Sequence, residues 1–421
     1  MASTDQPCRQ ENIEAITKYI TRSMIPNITR VGIKLEHFII HTNDGSRVFF
    51  TEENGIADIM EELADDYENV TRTSEDLIVK LSRNYTGVTE EVVVQPGGQI
   101  QYCAGPFINT EMANTLFENF EDALSKILKP RNMMTLLMGY GLNEEAMDVE
   151  LVDYAPYVAM DKHFLKTSGY GMCLMRNSAA TQVSVDFDSE EDCIRKLRIA
   201  SAMAPILSLL ADNSIMFEAE PREHHMVRSL VQNAVDHDRC GVIPGVFDQD
   251  FTLEKYAEWV LDTPAIVYKS KGKWVETEQT FGEVYAEKAM KTADVQHALS
   301  MILTDVRLTD SIEIRTPDAL PWDFAVAFAT FIKGLFCSEN AVNDMNRMFE
   351  GVTERDVQRA KLELMDKGFD AVVYGKPVNR MAEQLHITSK LNLNREDQKV
   401  IEELTTLAFQ QATLAGLTMI Q

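Results

Sequence analysis

The chain lacks the features of a secreted or membrane-spanning protein. Its six cysteines are scattered without a CxxC pair, which is typical of reduced thiols in a cytosolic protein. The first residues, MASTDQPCRQEN, are polar and contain no apolar signal region. The longest apolar runs, near residues 199–211 and 324–332, are too short to span a bilayer. We therefore expect a soluble, cytoplasmic protein.

Positive charge is also scarce. The 421 residues include 40 lysines and arginines against 66 aspartates and glutamates, a formal net charge of -26. This balance argues against nucleic acid or an anionic membrane as a partner. If the chain handles a polyanion such as ATP, local positive charge or a metal ion must overcome that background. The length and the 45% hydrophobic content fit two or three domain-sized units or one large single-sheet enzyme.

Familiar local catalytic motifs are missing as well. The PGGQ stretch at residues 96–99 lacks the GK[ST] ending of a phosphate-binding loop, and no helix follows it at once. Two glycines after a proline more often mark a bulge or a close approach of two backbones. His224 and His225 are adjacent, but no HExxH motif or matching Cys/His set accompanies them. A surface or packing role is therefore favoured for both histidines.

Hydrophobic periodicity predicts hairpins mixed with long helices. Strands are expected at residues 30–40, 91–101, 181–187 and 307–315, with a returning strand within 41–50 and a hairpin turning at Lys271-Gly272. Helices are expected at residues 11–25, 55–68, 109–128 and 190–213, the last capped by Ser189 with Asp192 in a capping box, and throughout the chain from 322 onward except near 371–375. Without regular βαβ alternation, this pattern predicts an α+β fold with a mainly antiparallel sheet.

The stretch VVVQPGGQIQ, residues 92–101, predicts an unusual polar face on one of these strands. Side chains alternate across a strand, so Gln95, Gly97, Gln99 and Gln101 would share one face. A core face would be apolar, and a solvent face would usually carry charges or threonines. The pattern leaves two interpretations: an uncharged polar pocket, or a site that has lost its carboxylates.

Several stretches, taken in order, resemble glutamate–cysteine ligases of the plant and actinobacterial type. They run from about residue 30 to 337 and include VGIKLEHF, QPGGQIQYCAGPF, MRNSAATQVSVDFDSEEDCIRKLR, LLADNSIMFEAEPR, HDRCGVIPGVFDQDFTLEKYAEWVLDTP and VRLTDSIEIRTPDALP. The resemblance implies a glutamine-synthetase-like fold, in which a curved, mainly antiparallel sheet forms a funnel with helices packed outside. It also implies a carboxylate–amine ligase-like core at 1–340 and a helical C-terminal region at 341–421 packed on that core.

The resemblance implies a reaction that belongs to glutathione biosynthesis. In that family ATP phosphorylates the γ-carboxylate of glutamate, and the amine of cysteine then attacks the acyl phosphate. Glutamates on the funnel strands hold Mg²⁺ ions, which arginines assist in bringing two anionic substrates together. ATP and Mg²⁺ are therefore the implied cofactors. Glutamate, an amine such as cysteine and ATP are the implied small-molecule partners, and neither nucleic acid nor a membrane is expected to bind.

Three positions depart from the family pattern where that pattern has glutamate. Lys34 replaces the first glutamate of G-x-E-x-E-x-F, and Gln95 and Gln101 replace both glutamates of L-E-P-G-G-Q-x-E. The lysine changes the local charge by +2 and each glutamine by +1, a sum of +4 if the three positions face one cavity. Hard divalent cations prefer carboxylates and are repelled by an adjacent ammonium, so we expect weakened Mg²⁺ binding.

Matches that are retained supply the other expected site residues. The resemblance implies Arg315 and Arg307 as catalytic groups and Glu36 and Glu313 as metal ligands, and Lys34, at a substituted position, is a third expected catalytic group. Substrate binding is assigned to four further polar residues, which are Gln99, Gln182, Arg228 and Arg176. Without the resemblance, Glu313 and Arg315 on one strand face would more often be a cross-strand ion pair than a site.

Two functions from different classes stay open. In an active ligase with altered metal use, Lys34 would contact phosphate or the substrate carboxylate directly, and Glu36 and Glu313 would hold one remaining Mg²⁺. A catalytically degenerate homologue would instead bind an acidic amino acid or a nucleotide without turnover and could regulate a protein partner. The loss of several polar groups favours the second function, whereas the retained motifs fit both. In either case we expect Lys34, Gln95, Gln101 and Glu313 on the concave face of one sheet.

Overall fold

The computed structural model of the protein describes residues 6–26 and 30–420. Residues 1–5, which belong to the polar N-terminal stretch, lie outside the described residues, as do 27–29 and 421. The strands are β1 Val31–His41, β2 Asn69–Arg72, β3 Ile78–Tyr85, β4 Val88–Val94, β5 Ile100–Phe107, β6 Met133–Leu136, β7 Thr181–Val185, β8 Met216–Phe217, β9 Glu220–Pro221, β10 Cys240–Gly241, β11 Val267–Ser270, β12 Lys273–Glu276, β13 Leu303–Thr304, β14 Val306–Leu308, β15 Ile312–Ile314, β16 Val372–Val373 and β17 Lys376–Pro377.

The helices confirm most of the predicted segments to within a few residues at each end. They are α1 Arg9–Thr21, α2 Ile56–Leu63, α3 Thr110–Leu128, α4 Ala155–Thr167, α5 Gly171–Arg176, α6 Glu190–Leu210, α7 Val227–Val235, α8 Leu253–Asp262, α9 Phe281–Val284, α10 Thr292–Ser300, α11 Trp322–Phe336, α12 Glu339–Met348, α13 Glu354–Lys367, α14 Val378–Asn392, α15 Arg395–Val400, α16 Glu402–Phe409 and α17 Leu414–Ile420.

One large sheet organises the molecule. Its strands follow the order β14-β15-β7-β1-β5-β4-β3-β2, and β6 pairs with the C-terminal half of β1. Every neighbouring pair in this sheet is antiparallel. The sheet therefore confirms the predicted α+β class with a mainly antiparallel sheet, and it places β1 in the centre.

The two faces of β1 differ in chemistry because its sequence alternates. Ile33 and Leu35 are buried on one face, where α3 and α11 pack against the sheet. His37 lies on that same face and contacts Glu121 of α3 through Nε2 at 2.6 Å. We call the opposite face of the central strands the polar face. Burial of the apolar face fixes the register of β1 and so determines which side chains reach the polar face.

The helix α6 backs the short strands β14 and β15. Ser189 caps this helix as predicted, because its side chain accepts a hydrogen bond from the backbone N–H of Asp192 at 3.2 Å. The predicted capping box is wrong in its second half, since the Asp192 carboxylate accepts from the N–H of Asp188 rather than from Ser189. The carboxylate also pairs with Lys196 at 2.7 Å, one turn along the helix.

The predicted strand at 91–101 is wrong, because a tight turn divides it. β4 ends at Val94 and β5 begins at Ile100. The Gln95 N–H donates to the Gln99 carbonyl at 2.8 Å, and Gly98 in the turn has a φ of 80°, which favours glycine. At Gly97 a β-carbon would lie 2.0 Å from the carbonyl oxygen of Arg176. The glycine pair thus serves the turn and a close backbone approach, and Gln95 does not lie on a strand.

Two other predicted strands also differ. Residues 307–315 form the hairpin β14–β15 rather than one strand, and the Thr309 N–H donates to the Ser311 carbonyl at 2.9 Å in its turn. Thr, Asp and Ser at 309–311 are residue types that favour turns. Within 41–50 the returning strand is reduced to a single bridge between Ile40 and Arg47. The hairpin that turns at Lys271-Gly272 is confirmed as β11–β12.

From Trp322 onward the described chain is helical apart from the hairpin β16–β17, as expected. Within it, α14 packs on α11 and α13 packs on α6. No single helix among the described residues is long and apolar enough to cross a membrane. The consecutive helices α11 and α12 reach that length and apolar composition only when taken together, and the chain bends by 90° between them. Most of α11 is buried in the core.

Candidate active site on the polar face of the sheet

The polar face brings together side chains from five strands. Lys34 and Glu36 stand two residues apart on β1 and therefore share this face. Lys34 lies opposite Gln182 of β7 and Cys103 of β5, and Glu36 lies opposite Gln101 of β5. On the far side of β7, β15 and β14 add Glu313 and Arg307, which are register partners in their own hairpin. The antiparallel register thus gathers most of the predicted site residues.

Glu313 lies at the centre of what we call the cation cluster, formed by Lys34, Arg307 and Arg315. Its Oε1 accepts directly from the Lys34 ammonium. Its Oε2 accepts from Arg307 Nε at 2.8 Å and Nη2 at 2.6 Å, and from Arg315 Nη1 at 3.2 Å. Burial raises the pKa of Glu313, but Arg307, Lys34 and Arg315 outweigh burial and hold that pKa well below its usual range. Glu313 is therefore an ionised carboxylate shared by three cations.

Glu36 lies in a different environment, which we call the amide cage. Its Oε1 accepts from Gln101 Nε2 at 2.7 Å and from Gln182 Nε2 at 3.2 Å, while its Oε2 accepts from the backbone N–H of Ala180 at 2.7 Å. Burial raises the pKa of Glu36, against the opposing charge of Arg228. The direct donors to Glu36 are all neutral, so they satisfy this carboxylate without bringing a positive charge into contact with it.

Two arginines border the amide cage. Arg315 Nη1 donates to Gln182 Oε1 at 3.3 Å, which joins the amide cage to the cation cluster. Arg228 of α7 donates through Nη1 to the carbonyls of Thr316 at 3.2 Å and Pro317 at 2.8 Å. The Nε atoms of both arginines are buried and have no hydrogen-bond partner in the described part of the chain. Burial and the neighbouring Arg307 lower the pKa of Arg315 to about 10.

A cavity of about 380 Å³ adjoins the cation cluster at Lys34. Its other walls come from strands β1, β4, β5 and β7 and from the turn of the β14–β15 hairpin. Arg30 and Asp186 stand in this wall as an ion pair at 2.5 Å, and so largely neutralise each other. Lys34 keeps a third of its side-chain surface exposed, whereas Glu313 behind it is only 2% exposed. Lys34 is therefore the member of the cation cluster that reaches the cavity.

Three predicted site residues lie outside the amide cage and the cation cluster. The Gln99 amide donates to the carbonyls of Arg176 at 3.1 Å and Ser178 at 2.8 Å, and it accepts from the Gly97 N–H at 3.1 Å. Arg176 forms a bidentate ion pair with Asp161, at 2.9 and 2.6 Å. Gln95 lies in the turn, and its side chain makes no hydrogen bond within the described residues. Gln99 and Arg176 thus stabilise the turn and its surroundings in this arrangement.

Sequence reasoning missed two contributors to the site. The backbone N–H of Ala180 holds Glu36, and no residue-type pattern marks a backbone donor. Asp318 lies 3.9 Å from Arg228 and accepts from Ser214 Oγ at 2.6 Å. Burial raises its pKa to about 6, with Arg228 opposing. Asp318 ends the RTPD stretch that begins at Arg315. Its position three residues after a predicted site residue was the one sequence feature that could have pointed to it.

The residues present do not fit a Mg²⁺ ion. No group of three or more His, Cys, Asp or Glu side chains in the described chain is arranged to hold a metal. Glu36 is occupied by three N–H donors, and Glu313 by three cations. A Mg²⁺ ion demands near-octahedral oxygen coordination, and here it would have to displace these donors beside an ammonium. The arrangement offers positive charge and amide donors in place of metal ligands.

Comparison with known proteins gives a consistent result. The model of the family described as Glutamate-cysteine ligase family 2 (GCS2) matches residues 30–393. The chloroplastic glutamate–cysteine ligase B of Oryza sativa subsp. japonica is 24% identical over 381 residues, which cover 88% of this chain and 75% of that protein. The chloroplastic glutamate–cysteine ligase of Brassica juncea is 26% identical over 343 residues, which cover 79% of this chain and 65% of that protein.

A solved structure extends the likeness to the fold. The glutamate–cysteine ligase of Francisella tularensis, solved in complex with AMP, superposes with a TM-score of 0.59. The match covers 94% of this chain and 85% of that one, at 9% sequence identity. At such low identity the likeness concerns the fold alone, and it agrees with the predicted fold type.

Proposed function

The chain belongs to glutamate–cysteine ligase family 2, and on that premise we propose that it is an ATP-dependent carboxylate–amine ligase. The proposed reaction joins the γ-carboxylate of glutamate to an amine such as cysteine. ATP would transfer its γ-phosphoryl group to the carboxylate, and the amine would then displace phosphate from the acyl phosphate. Both ATP and glutamate are anions, so the site must offset their mutual repulsion.

The observation that carries this proposal is the cation cluster beside the cavity. Lys34, Arg307 and Arg315 converge on one carboxylate and place positive charge on the polar face of a chain whose formal net charge is -26. Preorganised cations of this kind stabilise charge that develops on a transferring phosphoryl group. The same cations would also hold the two anionic substrates close to each other.

Activity can be tested with purified protein, ATP, MgCl₂, L-glutamate and a panel of amines that includes L-cysteine. We expect phosphate release that requires both glutamate and an amine, together with a product whose mass is the sum of the two substrates less one water. Omission of either substrate is the control. The absence of a ligated product with every amine of the panel would contradict the proposed ligation.

A second candidate function is favoured by the occupied carboxylates. Because protein donors saturate Glu36 and Glu313, the site could bind an acidic amino acid or a nucleotide without turning it over, and act on a protein partner. Binding of glutamate or ATP by calorimetry, with no product from any amine in the same preparation, would support this candidate over the ligase.

We keep the cytoplasm as the proposed compartment. All six cysteines are free thiols, and Cys103, Cys173 and Cys193 are buried. Free thiols are typical of a reducing compartment. Expression with a fluorescent tag in the source cell, followed by fractionation, tests this placement. Recovery of the protein in an organelle or envelope fraction would contradict it.

A further inference from the structure

The cation cluster carries more positive charge than its carboxylate can balance. Lys34, Arg307 and Arg315 all pair with Glu313, and Glu36 is a second carboxylate whose charge acts on Arg315, so three cations face two carboxylates and a positive surplus remains. Arg307 and Arg315 are mostly buried, so water screens this surplus poorly. The cavity wall also holds three carboxylates, and each has a cationic partner: Asp186 pairs with Arg30, Glu91 with Lys80 at 2.6 Å, and Asp310 with Arg22 at 2.5 Å. The site is therefore electrostatically suited to an anion.

Unused donors point the same way. The ammonium of Lys34 has three N–H donors, and Glu313 is its one hydrogen-bond partner among the described residues. Lys34 lines the cavity and keeps a third of its side-chain surface exposed, so its remaining N–H donors are free to meet a ligand or an ordered water there. Carboxylate or phosphate oxygens are acceptors that satisfy both the charge and the donors.

We propose that this site binds its anionic ligand directly through Lys34, while the buried Arg307 and Arg315 add positive charge nearby, so that these cations take the role of a divalent metal ion and binding requires no Mg²⁺. The ligand chemistry is a phosphate or carboxylate oxygen facing the cavity at Lys34. This inference rests on the proposed function only for the identity of the ligand as ATP or glutamate. It does not depend on whether the bound ligand reacts.

Lys34 suits this role for a physical reason. A metal ion needs several protein oxygens to coordinate it, whereas a lysine side chain brings its positive charge covalently and needs none. Glu313 fixes the ammonium at the cavity wall from behind, and the partly exposed side chain leaves donors facing the cavity. Glu313 therefore acts here as a positioning residue for Lys34 rather than as a metal ligand.

The test is calorimetric titration of the full chain with ATP and, separately, with L-glutamate, each in EDTA and in MgCl₂. We expect at least one ligand to bind in EDTA with a Kd within about threefold of its value in MgCl₂. Lys34→Met should weaken binding in EDTA by about tenfold or more, as expected for a lost charge-assisted hydrogen bond. Lys34→Arg should stay within about threefold of wild type, because it keeps the charge.

The matched control is Lys333→Met. Lys333 of α11 pairs with Asp397 at 2.9 Å and belongs to neither the cation cluster nor the amide cage. This variant should leave both affinities unchanged. The wild-type comparison needs no variant, so the proposal remains testable if Lys34→Met fails to fold. Binding that requires Mg²⁺, or no binding of either ligand in either buffer, would overturn the inference. Mg²⁺-dependent binding with turnover would overturn the inference alone, whereas metal-free binding without turnover would reject only the ligase activity.

Discussion

Two glutamates on the same face of one sheet are held in opposite ways. Glu313 is surrounded by the cation cluster, which drives its pKa down despite burial. Glu36 is held by neutral donors in the amide cage, and burial drives its pKa up. Both side chains are less than 9% exposed, so desolvation alone cannot separate them. The charge of the groups in direct contact decides the state of each carboxylate.

Lys34 contributes to this contrast through Glu313. It contacts Glu313 and not Glu36, although it is only two residues from Glu36 on β1. Glu36 instead accepts a hydrogen bond from the neutral amide of Gln101. The lysine and the glutamine therefore occupy the two carboxylates by different means, one ionic and one neutral. Each leaves its glutamate poorly suited to a divalent cation.

The largest expected effect is that of Glu313→Gln. The variant removes the carboxylate that pairs with Lys34, Arg307 and Arg315, and it leaves three mutually repelling cations in a buried site. Breaking a buried ion pair by removing one partner costs about 3–5 kcal/mol. We expect a loss of that size in the free energy of unfolding, measured by urea denaturation. A loss below about 1 kcal/mol, the scale of exposed ion pairs, would show that the cation cluster does not form.

Glu36→Gln should cost less, about 1–2 kcal/mol, because its partners are neutral donors and the amide retains one acceptor oxygen. One donor, from Gln101 or Gln182, would lose its acceptor. The same urea series measures the effect. A Glu36→Gln variant as unstable as Glu313→Gln would break the contrast between the amide cage and the cation cluster.

The pH dependence of these two variants should run in opposite directions. The folded pKa of Glu36 lies above 4.5, so the wild type gains stability from this group as the pH falls from neutral toward 4.5. The cost of Glu36→Gln should therefore grow over that window. The folded pKa of Glu313 lies below 4.5, so its contribution is lost only as the pH falls below 4.5, and the cost of Glu313→Gln should shrink there. Urea denaturation midpoints of wild type and both variants, measured from pH 7 to pH 3.5, give the cost of each substitution at each pH. Costs that change with pH in the same direction for both variants would contradict the assigned pKa directions.

The smallest expected effect is that of Gln95→Ala. Gln95 lies in the turn between β4 and β5, and only its backbone makes hydrogen bonds there. Substitutions outside such contacts usually change stability by less than about 0.5 kcal/mol. Thermal unfolding and the calorimetric titrations should both match wild type. A marked loss of ligand affinity would show that Gln95 takes part in ligand binding and would contradict this prediction.

The polar face could be predicted in part from the sequence. Period-two alternation correctly placed Lys34 and Glu36 on one face of β1, because burial of Ile33 and Leu35 determines the other face. Their assignment to partners such as Gln101 depends on strand register, which arises from pairing of distant segments. Local pattern carries no such information.

The turn at residues 95–99 could have been recognised. Gln95, Gly97, Gln99 and Gln101 alternate in number, and this alternation suggested a strand. Pro96 argued against it, because a proline cannot donate to a sheet ladder and is rare within a central strand.

The contact between Arg228 and the carbonyls at 316 and 317 joins α7 to a segment 88 residues away, which no local signal predicts.

The central claim is that protein donors, rather than a metal ion, occupy Glu36 and Glu313. The most direct test is the thermal unfolding of wild type and of the double variant Lys34→Glu with Gln101→Glu, in EDTA and in MgCl₂ without nucleotide. In the variant the added carboxylates repel their neighbours, so it should unfold at a lower temperature in EDTA and recover in MgCl₂ by linkage. We predict no Mg²⁺-dependent change for wild type. A wild-type protein that MgCl₂ stabilises as strongly as it stabilises the double variant would contradict the account.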